Sequence, residues 1–283
     1  MKPAPFDYAR AGSLEEAIGL LAAADGEARP LAGGQSLGPM LNLRIARPAL
    51  LVDLSPIEEL RDVSEDADGV TIGASVVHAA IEDGEVPDVT HGLMRRAAAG
   101  IAYRAVRNRG TVGGSLAHAD PAGDWAPVMM ALGASLGIRG PEGGRSVDAD
   151  AFVTDPLTTV LEPGEIVEAI RIPRLSEGAR WGHYKLCVKP GDFAESLAVV
   201  VRDADRGHCR AALAGPTHAP ILLDRVAGLI AGADGWSDAL AGGIKDAASG
   251  EIKAAGFADA EDRYAMNVHA TAAVRAAREA FSR

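Results

Sequence analysis

TVGGSLAHADPAGDWAP, Thr111 to Pro127, is the stretch from which the rest of the chain can be read, together with an upstream glycine-centred loop, LAGGQSLGPML, Leu31 to Leu41. Each sets adjacent glycines beside hydroxyl or amide side chains: Gly33, Gly34, Gln35 and Ser36 in one, Thr111, Gly113, Gly114 and Ser115 in the other. Glycine has no Cβ to hold an anion off the backbone, so such loops can turn several N–H groups toward one phosphate. Two of them in one chain suit a pyrophosphate. Neither is a P-loop, because no Lys follows the second glycine, and neither has the glycine triplet of a dinucleotide-binding βαβ turn. Asp120 and Asp124 follow the second loop closely, where a carboxylate beside a pyrophosphate would be repelled. They are expected instead to accept from ribose hydroxyls or an adenine amino group, with capping of a helix at Trp125 as the alternative.

At 283 residues the chain is long enough for one large core or two smaller ones. A net charge of −11 opposes binding to a nucleic-acid backbone. MKPAPFDYARAGSLEEAIGLL at the N-terminus has no apolar core of signal-peptide form, and no stretch has the length of a membrane span. The expected location is therefore cytoplasmic. Cys187 and Cys209 supply too few thiolates for an iron–sulfur cluster, so any cluster belongs to another chain, and both are expected as free thiols. The seven histidines show no metal-binding spacing. His118 alone lies inside a motif, as a polar lining or structural residue.

Ser13 opens a helix with Glu16 as its capping-box partner. ARPLAG and ALLVDLS read as strands bracketing the first loop, and VTIGASVV as another. A helix is expected from about His91 to about Ala102. AGDWAPVMMALGA reads as a helix or turn into the strand ASLGIRG, closed by a hairpin at PEGG. Strands and helices do not alternate regularly, which favours α+β over a doubly wound sheet. Pro173, Ser176 and Gly178 mark a turn-rich connection that divides the chain into domains 1–175 and 176–283. In the second, WGHYKLCVKPGDFAESLAVVVRDAD supplies two strands around a Lys-Pro-Gly-Asp turn, and HCRAALAG a third. LLDRVAGLIAG and DRYAMNVHATAAVRAAREAFS read as helices, the latter with Met266, Val268, Ala272 and Val274 as its buried stripe.

Four segments in this order, Leu31 to Leu41, VRNRGTVGGSLAHADPAGDWAPVMMALGA (Val106 to Ala134), GEIVEAIRIP (Gly164 to Pro173) and YKLCVKPGDFAES (Tyr184 to Ser196), resemble the FAD-binding medium subunit of the molybdenum hydroxylases. That family includes xanthine dehydrogenases and aerobic carbon monoxide dehydrogenases. The resemblance spans essentially the whole chain. It implies an FAD-binding domain of the PCMH, or vanillyl-alcohol-oxidase-like, type made of two α+β subdomains, then a smaller α+β domain like the C-terminal flavoprotein domain of carbon monoxide dehydrogenase. It places Leu31, Ala32, Gly33, Gly34, Gln35, Ser36 and Leu37 at the pyrophosphate, and Thr111, Gly113, Gly114 and Ser115 at the phosphate or flavin side. Ile101 and Ala102 would meet the flavin, Ile166 and Val167 would pack on the adenine or ring system, and Lys185 would lie near the flavin. For the four apolar residues a plain core position is the alternative, and for Lys185 a surface one. Relatives often carry basic residues between Lys185 and Lys189, where this chain has Cys187 and Val188. Positive charge that would stabilise a reduced, anionic flavin is thereby lost.

The resemblance implies electron transfer with no catalytic side chain. Electrons from a molybdenum cofactor on a large subunit would pass through the 2Fe-2S clusters of a small subunit to FAD and on to an external acceptor. Nothing resembles a nicotinamide-binding motif, which favours an acceptor other than NAD. Relatives are commonly dimers of heterotrimers. Two other readings stay open: a self-contained FAD-dependent oxidoreductase, and a non-redox scaffold that has lost FAD.

Overall fold

The computed structural model describes residues 2–282. Its first segment is a parallel sheet of β1 (Asp7–Arg10), β2 (Ala28–Leu31) and β3 (Leu50–Asp53), with β3 in the middle. The strands are joined by α1 (Leu14–Ala23) and α2 (Leu37–Asn42). Regular β–α alternation therefore exists, confined to this segment, where strands of 4 residues are too short to carry a readable period. Ser13 caps α1 by accepting from the Glu16 N–H at 3.2 Å. The Glu16 carboxylate closes the box on the Gly12 N–H at 2.7 Å, one residue earlier than the expected Ser13. Leu14, Ala17, Ile18 and Leu21 of α1 pack with Val52, Leu54, Ile57 and Leu60 into a small core.

A 3-10 turn (Glu59–Arg61) leads into β4 (Val63–Glu65) and β5 (Gly69–Gly73). Five helices follow: α3 (His78–Asp83), α4 (Leu93–Ala99), α5 (Arg104–Arg107), α6 (Val112–His118) and α7 (Trp125–Leu132). The expected helix from His91 is shorter at both ends, because Gly92 (φ +87°) and Ala102 (φ +42°) take left-handed conformations outside it. The chain then forms β6 (Ser135–Gly140), β7 (Gly143–Asp148), α8 (Ala149–Phe152), the short pair β8 (Val153–Asp155) and β9 (Thr158–Thr159), and β10 (Ile166–Pro173). β10 returns between β5 and β6, giving an antiparallel sheet in the order β4-β5-β10-β6-β7.

The C-terminal part is an antiparallel sheet of β11 (Arg180–Leu186), β12 (Ser196–Asp203), β13 (His208–Gly215) and β14 (His218–Leu222). α9 (Asp224–Ala231), α10 (Asp238–Ala254) and α11 (Arg263–Ser282) pack together beside it. The sequence reading did not assign β14 or α10. In α10 the buried positions, Ile244, Ala247, Ala248 and Ile252, are diluted by glycine and alanine. The buried stripe of α11 is also corrected. Of the four expected residues only Ala272 is buried, and the stripe is built of alanines, Ala270, Ala273, Ala276, Ala277 and Ala280, with His269. Small residues let the helix lie close to β11, where a Cβ on Gly182 would fall 1.8 Å from the Ala276 carbonyl oxygen.

Every residue of α7 is buried because this helix packs on β10 of one sheet and on β12 and β13 of the other. One core therefore runs from Leu136 and Ile170 to Leu197, Val199 and Val201, with Leu175 and Ala179 of the connecting segment inside it. The architecture is α+β. No helix among the described residues is long and apolar enough to cross a membrane.

Candidate functional site

The two glycine loops meet. A Cβ on Gly33 would lie 2.0 Å from the Arg109 carbonyl oxygen and 2.8 Å from the Gly110 Cα, so the first loop backs directly onto the residues that open the second. A Cβ on Gly114 would approach the Cβ of Ala32 to 3.6 Å. Gly34 takes φ +69°, and the Gln35 side-chain amide donates to the Gly33 carbonyl at 3.0 Å. From Ala32 to Leu37 the backbone N–H groups have no acceptor among the described residues. These residues are half-buried or exposed. A run of unpaired amides on an accessible, tightly supported loop supplies the kind of donors that an anion needs.

The second loop is used differently, and here the expectation of backbone donors is corrected. The Val112, Gly113, Gly114 and Ser115 N–H groups donate to Val76 O, Ala74 O, Thr111 Oγ1 and Thr111 O, at 3.1, 2.9, 3.1 and 3.0 Å. Gly113 is glycine for packing: its Cβ would fall 2.4 Å from the Ala74 Cβ. What this loop can offer a ligand is hydroxyl groups and the Thr111 N–H, which has no acceptor among the described residues. Thr111 Oγ1 accepts from Gly114, which leaves its proton free to donate, and Ser115 is half-buried beside it. Gly110 lies against the ring of His78, with a would-be Cβ 2.9 Å from Nε2, and Trp125 Nε1 donates to His78 Nδ1 at 3.1 Å. Burial, with Arg107 adding to it, pushes the His78 imidazole down to about 4, so it is neutral and structural.

The two aspartates separate. Asp120 Oδ1 accepts from the Ala122 N–H at 2.9 Å in a local turn, and its second oxygen has no protein donor among the described residues. Asp124 stands at the N-cap of α7 without capping it. Its carboxylate instead meets the Lys185 ammonium at 2.9 Å through Oδ1 and 3.0 Å through Oδ2, and Lys185 Nζ also donates to the Gly100 carbonyl at 3.2 Å. Both side chains are nearly sealed from solvent. Lys185 is thus not a surface lysine, and Asp124 faces this cation rather than an adenine or ribose, because a buried ammonium needs a counter-charge. Burial pushes the Asp124 carboxyl up to about 6 against the pull of Lys185.

Ile101 and Ala102 are half-buried at a turn where Arg107 donates to both of their carbonyls, at 2.8 and 2.9 Å. Gly191, in the connection between β11 and β12, rests on the same turn, its would-be Cβ 2.5 Å from Ala102 O. Tyr103, next to that turn, and Val188 and Phe193, in that connection, are exposed. Arg107 and its partner Glu82 were missed in sequence, since an arginine that serves main-chain carbonyls leaves no motif. Ile166 and Val167 are corrected in role. Successive residues of β10 point to opposite faces, which puts Ile166 in the N-terminal core and Val167 in the central one. Their side chains are packed inside the protein, and only their backbone can meet a ligand. Among the described residues no group of His, Cys, Asp and Glu could hold a metal ion, and both cysteines are free.

Residues 4–175 match the family described as the FAD binding domain in molybdopterin dehydrogenase. The chain is 38% identical over 231 residues to the carbon monoxide dehydrogenase medium chain of Hydrogenophaga pseudoflava, covering 81% of this chain and 80% of that one. It is 37% identical over 225 residues to the caffeine dehydrogenase subunit beta of Pseudomonas sp. (strain CBB1), covering 78% and 76%. Among solved structures it superposes on carbon monoxide dehydrogenase from Hydrogenophaga pseudoflava, in a form lacking the Mo-pyranopterin moiety of the molybdenum cofactor, with TM-score 0.89 at 32% identity over 100% of this chain and 99% of that one. Quinoline 2-oxidoreductase from Pseudomonas putida 86 gives a TM-score of 0.87 at 32% identity over the same shares.

Proposed function

The chain belongs to the FAD-binding medium subunits of the molybdenum hydroxylases, and on that premise we propose that it holds FAD with the pyrophosphate on the Ala32–Leu37 loop and the ring end at the turn through Ile101 and Ala102. The observation that carries the placement is the run of unpaired N–H groups from Ala32 to Leu37, packed onto Arg109 and Gly110. Thr111 and Ser115 add hydroxyl donors, and Asp120 keeps one carboxylate oxygen for a hydroxyl or amino group. Lys185 and Gly191 bring the C-terminal half to the Gly100–Ala102 turn. The family match ends at residue 175, which supports the division into 1–175 for the cofactor and 176–283 as a covering domain.

FAD, when bound, supplies one- and two-electron redox chemistry that no side chain provides. The work of this chain is to bind, orient and insulate. In this reading electrons arrive from the 2Fe-2S clusters of a small subunit, originate at a molybdenum cofactor on a large subunit, and leave to an external acceptor other than NAD. The assembly is a cytoplasmic dimer of heterotrimers. The test is isolation of the tagged chain from its native host, read by visible spectrum and subunit masses. Stoichiometric FAD with a molybdenum and an iron–sulfur subunit is the expected result. FAD on a lone, catalytically active chain would replace the relay by a self-contained oxidoreductase, and a colourless chain after reconstitution would leave a scaffold.

A further inference from the structure

Between the two loops the main chain turns through Gly100, Ile101 and Ala102, and each of these successive carbonyls is held by a cation. Lys185 takes the first at 3.2 Å, and Arg107 Nη1 takes the next two at 2.8 and 2.9 Å. Ala102 sits at φ +42°, a conformation that an alanine keeps only where its surroundings impose it. The rest of the Arg107 guanidinium is filled by Glu82, with Nε to Oε2 at 2.7 Å and Nη2 to Oε1 at 3.0 Å, so its planar fork has a fixed direction. Glu82 and the adjacent Asp83 are paired in turn to Arg104. Arg107 itself makes no hydrogen bond to the Ala32–Leu37 loop.

We propose that Arg107, aimed by Glu82, is a positioning residue that presets the Ile101–Ala102 turn for the ring end of FAD, while the nucleotide end is held independently by the Ala32–Leu37 loop. This rests on the cofactor placement above and divides that site into two parts. A turn fixed beforehand lowers the ordering cost of binding at its own end only.

The division is tested on the full chain by titrating wild type, Arg107→Met and Glu82→Gln separately with FAD and with ADP, which carries the pyrophosphate without the ring. Visible circular dichroism of bound flavin is the third readout. Glu82→Gln keeps the size of the side chain and serves if Arg107→Met does not fold. Both variants are expected to bind FAD about tenfold or more weakly, to bind ADP as wild type does, and to change the visible dichroism. Unchanged FAD affinity, or parallel loss of FAD and ADP, overturns the positioning role alone. A wild-type chain that binds neither nucleotide overturns the cofactor placement and this inference with it.

Discussion

Lys185 and Asp124 come from different halves of the chain and meet where both are nearly sealed from water. Removing one partner leaves a buried charge uncompensated, at a cost of about 3–5 kcal/mol, whereas removing both costs far less. Lys185→Met is therefore expected to lower unfolding stability by about 3 kcal/mol and the double variant with Asp124→Asn to recover most of it; additive losses in urea would refute the pairing. Burial holds His78 and His183 at about 4, below the usual 6.5. The unfolded chain then binds more protons between those values, so stability falls as pH drops through that window. Asp124 works the other way, since a carboxyl raised from 3.8 to about 6 favours the folded state on its acid side and loses that contribution as pH rises. With two histidines against one carboxylate, the net trend is acid destabilisation. Neither His183 ring nitrogen has a hydrogen-bond partner among the described residues, so His183→Leu should flatten the acid limb by up to about 3 kcal/mol; parallel stability curves for variant and wild type would contradict this. None of this pairing was legible in sequence. Glycines announce themselves by type, but the partner of a lysine lies wherever the fold puts a carboxylate.

At the scale of elements, what was legible followed from local signals. Ser13 with Glu16 marked α1, and the Lys-Pro-Gly-Asp turn marked the strands on either side. What was missed depended on partners remote in sequence. The stripe of α11 was assigned to Met266, Val268, Ala272 and Val274 as apolar residues at helical spacing, yet the surface it meets includes β11, whose Gly182 admits the helix backbone itself, and only Ala272 of the four is buried. Close approach selects alanine along the line of contact, while Met266 and Val274 pack half-buried at the margin of the same core. Gly182→Ala should force α11 off the sheet, with a loss of about 1–3 kcal/mol in urea unfolding and deprotection of α11 amides in hydrogen exchange. A variant with unchanged exchange in α11 would mean that the helix can shift without cost.

At the scale of the molecule, Pro173, Ser176 and Gly178 lie where β10 ends and the chain leads to β11, but a connection is not a gap in the core. The information that the core is continuous lies in Trp125–Leu132, apolar on every side, because a helix with no polar face must be covered on all of them. Both sheets supply part of that cover, and the neighbouring helices α4, α6 and α8 the rest. A chain ending at residue 175 would contain both glycine loops but would strip α7 of Leu197, Val199, Val201, Ala212 and Ala214, and Asp124 of its lysine. The leucine and valines each contribute about 1.5–3 kcal/mol when buried and the alanines about 1 kcal/mol or less, which together is comparable with the net stability of an ordinary domain. The truncated chain is therefore expected to retain helical far-ultraviolet dichroism, to bind a hydrophobic dye, to unfold without a sharp transition and to bind ADP weakly. Cooperative unfolding without dye binding would show instead that α7 can close against the five-stranded sheet alone, and that residues 176–283 act as a separable cover.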